Sequence, residues 1–65
     1  MKLKKNKITA LIAEQGLTNV ELSKRSGISR QSISTIIRRG SCAPINGGKI
    51  AKALGVDVLE IMEEE

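Results

Sequence analysis

Phe, Tyr, Trp and His are all missing from the 65 residues, and cysteine and proline occur once each. Without aromatics, any core must come from Ile, Leu, Val, Ala and Met, and no aromatic side chain exists to stack on the bases of single-stranded RNA. Without His, the lone Cys42 has no companion for a metal site, and it cannot form an internal disulfide. That cysteine usage fits a reducing cytoplasm. No catalytic pair sits in a recognisable motif. Gly47-Gly48-Lys49 lacks the upstream glycine and the following Ser or Thr of a phosphate loop. These gaps argue against an enzyme and against a bound cofactor or metal. Long apolar runs are absent as well, so no membrane span is expected. Lys2 to Ala13 has a faint signal-peptide cast, basic then apolar. It is broken by Thr9 and stops at Glu14-Gln15 with no small-residue cleavage pattern.

Acid is scarce over most of the chain. All 11 Lys and Arg lie at or before Lys52, where only Glu14 and Glu21 oppose them, a balance of +9. Asp57, Glu60, Glu63, Glu64 and Glu65 follow, so the formal charge of +4 conceals a basic body and an acidic end. Such a body suits a polyanion met by one face, and an ordinary solvated surface is the plainer alternative. Sixty-five residues make one domain, near the small end of what folds without a staple. Modest stability, or stability shared with a second copy, is the expectation.

What the chain does contain is helix punctuation. Ile8, Leu11 and Ile12 share one helical face and predict a first helix over residues 6–15, closed by Gly16. Three start signals follow, each a capping residue bracketed by apolar residues that staple across the first turn. Leu17-Thr18-x-x-Glu21-Leu22 and Val56-Asp57-x-x-Glu60-Ile61 carry the capping-box glutamate, whereas Ile28-Ser29-x-x-Ser32-Ile33 lacks it. They place a second helix near 19–25, a third near 30–38 and a fifth near 58–63. The fourth has two possible starts, with Pro44 in its first turn or Asn46 as its cap. Ile50, Ala51 and Leu54 supply its buried stripe, and Gly55 ends it. The fold class is therefore all-α with five helices.

Residues 18–33 form two short helices joined by a three-residue, glycine-containing turn, a helix-turn-helix arrangement. At about 100° per residue, Ile33, Ile36 and Ile37 fall on one face of the third helix. Arg30, Gln31, Ser34, Thr35 and Arg38 fall on the other, and the helix contains no Asp or Glu. A carboxylate there would be repelled by phosphate. Gln31 can pair with adenine, Arg30 with guanine or a phosphate, and Thr35 can meet a thymine methyl. Ser34 can bond a base or a phosphate, and Arg38 and Arg39 are better placed for the backbone. Thr18, Asn19 and the open amides of the second helix can hold a phosphate at the positive end of its dipole.

The chain resembles the Xre-like family of Cro and phage-repressor helix-turn-helix proteins from about Ile8 to Met62. The resemblance is carried by Gly16-Leu17-Thr18, Glu21-Leu22, Gly27-Ile28-Ser29-Arg30-Gln31-Ser32-Ile33-Ser34-x-Ile36 and Lys49-Ile50-Ala51-Lys52-Ala53-Leu54-Gly55-Val56. It implies a compact five-helix, lambda-repressor-like domain that binds double-stranded palindromic operators as a homodimer and controls transcription. It matches Arg30, Gln31 and Thr35 to base-reading positions, and Thr18, Asn19 and Ser29 to phosphate-anchoring ones. Two departures stand out. Many relatives pair an arginine late in the first helix with a glutamate late in the third, where this chain has Ile12 and Ile37. An apolar contact in place of a largely buried ion pair is often neutral or stabilising. One extra residue also separates Ile36 from Gly40, which lengthens the third helix and leaves the roles of Arg38 and Arg39 open.

The fifth helix carries more apolar residues than one buried face needs. Val58, Leu59 and Met62 are therefore the expected dimer surface, with Leu59 and Met62 the two left exposed on a monomer. Val20 is also expected to be exposed. Residues 1–5 are expected to be a flexible basic arm, either touching phosphates or merely solubilising, and residues 63–65 a frayed acidic tail. The rival to DNA binding is a protein-interaction module, such as an antitoxin or antirepressor, that uses the same fold.

Overall fold

The computed structural model describes residues 1–63, and Glu64 and Glu65 lie outside the described residues. Five helices follow one another: α1 (Lys5–Gln15), α2 (Asn19–Ser26), α3 (Arg30–Arg39), α4 (Pro44–Leu54) and α5 (Val58–Ile61). Each of α1 to α4 ends on a glycine in the left-handed region, where a β-carbon would be strained. At Gly16 and Gly55 the following residue also bonds back: Leu17 N–H donates to Ile12 O, and Val56 N–H to Ala51 O, both 3.0 Å. The apolar residue after each glycine is thereby turned in against the core.

The predicted cap residues Thr18, Ser29 and Asp57 all cap, but of the two expected capping boxes only that of α2 closes. Thr18 Oγ1 accepts from Glu21 N–H while Glu21 Oε1 accepts from Thr18 N–H, both at 3.1 Å, closing the box. Ser29 Oγ accepts from Ser32 N–H at 3.2 Å and donates to the Ser32 hydroxyl at 2.9 Å, a cap without the reciprocal bond that a glutamate would make. At α5, Asp57 Oδ1 reaches Leu59 N–H at 2.8 Å while Glu60 N–H turns to Asp57 O. Pro44 begins α4 behind Ala43, with no side-chain cap, so Asn46 is not the cap.

Ile8, Leu22, Ile33, Ile50, Leu54 and Ile61 are fully buried, at least one from every helix, and Leu3, Ile28, Ile36 and Ala51 complete the core. The α4 helix is central, packing on both α2 and α5, while α3 packs on α1 and α2. Gln15 Nε2 donates to Leu54 O at 2.6 Å and ties α1 to the end of α4. Ile12 and Ile37 both pack against the core and line one cleft, so the apolar pair occupies a shared site between α1 and α3.

Four expectations at the chain ends need correction. Residues 1–5 are not a flexible arm. Leu3 is 2% exposed, and the segment runs between the α3–α4 connection and the end of α5. Leu3 N–H donates to Gly40 O, Cys42 N–H to Met1 O, Lys4 N–H to Ile61 O and Glu63 N–H to Lys2 O, at 2.8–3.0 Å. Lys5 already belongs to α1. The physical cause is period-two alternation in Met1-Lys2-Leu3-Lys4, which turns Leu3 inward while Lys2 and Lys4 stay in water. The α5 helix stops at Ile61, short of the predicted 63, because the backbone turns extended at Met62 to pair with Leu3. Glu63, expected in a frayed tail, is held by its amide, and the rest of that tail falls outside the described residues. Met62, expected to be exposed, is half-buried and pairs with Leu3. Cys42 sits under this clasp, and burial pushes its thiol up from the ordinary value, partly opposed by a nearby ammonium charge and a backbone bond from Gly47.

Candidate nucleic-acid interface

The turn between α2 and α3 fixes how α3 is presented. Gly27, at φ 75°, reverses the chain, and its N–H still closes on Ser23 O. Ile28 then drops into the core at 7% exposure, which would strand its backbone polar groups. Two serines satisfy them: Ser26 Oγ accepts from Ile28 N–H at 3.2 Å, and Ser23 Oγ donates to Ile28 O at 2.5 Å. Among the described residues no buried side-chain polar atom lacks a partner. Sequence reasoning missed Ser23 and Ser26, although serines three apart ahead of a closing glycine were the available signal.

With α3 so held, its sides separate as the periodicity requires. Ile33 and Ile36 are buried and Ile37 is half-buried, whereas Arg30, Gln31, Ser34, Arg38 and Arg39 are exposed. Thr35 is half-buried, so it presents less surface than its neighbours. Asn19, Val20, Ser29, Arg30, Gln31 and Ser34 line an open groove of about 580 Å³ between α2 and α3. It continues on both sides. Asn19 and Ser34 also face a cleft toward α1 with Thr9, Ile12, Ile37 and Arg38. Gln31 also faces one toward α4 with Ser32, Thr35, Ile36 and Asn46. No acidic residue lines any of the three.

On this surface α3 is a ten-residue rod about 15 Å long and, with side chains, about 10–12 Å across, a width that a major groove about 12 Å wide admits. Within it the predicted contacts fall into groups. Arg30, Gln31 and Ser34 share the central groove with Asn19 and Ser29, and Thr35 lies beyond Gln31 on the α4 side. Arg38 lies on the α1 side, and Arg39 lines none of these grooves. Both arginines end α3, where positive charge also favours the helix dipole. Ser29 is exposed, but its hydroxyl is committed to the cap, and a phosphate bond from its proton would displace Ser32. At α2 the Thr18 and Glu21 amides are taken by the box, which leaves those of Asn19 and Val20 for an anion. Asn46 is an addition that the sequence reading did not assign to this surface.

Away from this surface, Leu59 is 62% exposed and Val58 is half-buried against the core, beside half-buried Met62. Ile45, on the first turn of α4, is 69% exposed and was not anticipated. No helix among the described residues is long and apolar enough to cross a membrane. A helix-turn-helix family model matches residues 8–61. No curated protein and no solved structure matches the chain.

Proposed function

The chain belongs to the helix-turn-helix family of the Xre, Cro and lambda-repressor type, a DNA-binding regulator family, and on that footing we propose a sequence-specific repressor that binds a palindromic operator as a homodimer. The observation that carries the reading is the acid-free groove in which Arg30, Gln31 and Ser34 stand beside the open amides of α2. In the proposal α3 enters the major groove, where Gln31 pairs with adenine and Arg30 with guanine, and Ser34 and Thr35 contact the flanking positions. Thr18, Asn19 and Ser29 anchor one phosphate stretch, and Arg38 and Arg39 another.

The dimer is proposed through α5, with Leu59 at its centre and Val58 and Met62 at its edge. A two-fold arrangement sets the two reading helices about one DNA turn, roughly 34 Å, apart. Selection from random duplexes, followed by a salt titration, tests the whole reading. An inverted repeat whose affinity falls steeply with salt is the expected result, and no enriched sequence overturns it. Sedimentation then separates the parts: Leu59→Asp leaves a folded monomer with weakened operator binding. The exposed Leu59 and Ile45 also favour a second reading, in which the fold docks a protein. That reading wins if Arg30→Ala and Gln31→Ala leave regulation intact while Leu59→Asp abolishes it.

A further inference from the structure

Val20 stands out in a groove otherwise built of polar side chains. It lies two residues before the fully buried Leu22, about 200° round α2 from the core, and it is 40% exposed. It is not among the residues packed on the core, and an exposed helical position intrinsically favours Ala, Glu or Lys over a β-branched residue. Its isopropyl group faces the groove that Arg30, Gln31 and Ser34 also line. Opposite Arg30 and Gln31, which suit the donors and acceptors of a base pair, the groove therefore offers one apolar surface.

We propose that Val20 is a specificity residue that receives the C5-methyl group of a thymine at the α2 side of the half-site. The proposal rests on the DNA-reading function above. The chemistry is selective because the thymine methyl is the one apolar group that the four bases present in the major groove. It is also distinct from the contact assigned to Thr35, which lies across Gln31 in the cleft toward α4. The half-site is then bracketed by two methyl-sensing side chains, with Arg30 and Gln31 between them. A valine touching only deoxyribose would strengthen binding without regard to sequence, and this is the alternative that the experiment decides.

The test uses the half-site that selection yields, with each thymine replaced in turn by deoxyuridine, which keeps the pairing and removes the methyl. Wild type and Val20→Ala are titrated against every duplex, with circular dichroism confirming that both are folded. One replacement is expected to weaken wild type roughly fourfold, the worth of one buried methyl, and to leave Val20→Ala unchanged. On the all-thymine duplex Val20→Ala should lose the same factor. Val20→Thr, which exchanges a methyl for a hydroxyl at the same size, should fall between the two. If every deoxyuridine penalty persists undiminished in Val20→Ala, or the variant weakens all sequences alike, the assignment is overturned while DNA reading stands. If selection enriches no sequence, the reading beneath it falls too.

Discussion

The helix-turn-helix and the clasp differ in how far along the chain their hydrogen bonds reach. Between Thr18 and Ser32 the side-chain bonds span five residues or fewer: the Thr18–Glu21 box starts α2, the Ser29–Ser32 cap starts α3, and Ser23 and Ser26 on Ile28 hold the turn between them. The clasp of residues 1–4 is held by backbone bonds to Gly40, Cys42, Ile61 and Glu63, partners that are remote in sequence. Local bonds pair as soon as the chain turns. The clasp must wait until the core has brought three segments together. The clasp ties the α3–α4 connection to the end of α5.

The strongest way to break this contrast is at Leu3. Leu3→Ala should cost about 2–5 kcal/mol in urea denaturation, a large share of what so small a domain possesses. A change within ~0.5 kcal/mol, as for an exposed residue, would show that the clasp contributes nothing to the core. The reading side should respond in the opposite sense. Arg30→Ala and Gln31→Ala should each lose about 1–3 kcal/mol of operator affinity in a binding titration, with relaxed selectivity at one position and an unchanged melting curve. A variant that melts early would move these residues from reading to folding.

Two smaller effects sharpen the boundary. Ile12→Arg places one charge in the half-buried cleft it shares with Ile37 and should cost about 1–2 kcal/mol, tempered because a long side chain can carry its charge outward. Stability equal to wild type would mean that the apolar pair is not a substitute for an ion pair. Thr18→Ala removes the hydroxyl that caps α2 and should cost about 1 kcal/mol, with Thr18→Ser restoring most of it. A cost in DNA affinity but none in thermal unfolding would make Thr18 a phosphate ligand first and a cap second.

Much of the fold was legible because its signals are short-range. Gly16, Gly27 and Gly55 end helices where the periodicity stops, and Thr18, Ser29 and Asp57 begin them. The isoleucine stripe of α3 separates from its polar side at single-residue resolution. Leu3 was not legible: one leucine among lysines reads as solvated until its partners at Gly40 and Ile61 are known. The surface gained Asn46 from α4 and Val20 from α2 for the same reason, since no spacing rule relates them to Gln31 and Arg30.

The sequence by itself therefore determined the five helices, the cap residues of α2, α3 and α5 and the acid-free character of the α3 surface, because period and capping act within a few residues. Tertiary structure alone decided that residues 1–4 are clasped, that Met62 is covered while Leu59 is not, and that Val20 stands beside Arg30 and Gln31. Those facts depend on which distant segments share space, and that is fixed only when Ile8, Leu22, Ile33, Ile50 and Ile61 are packed together.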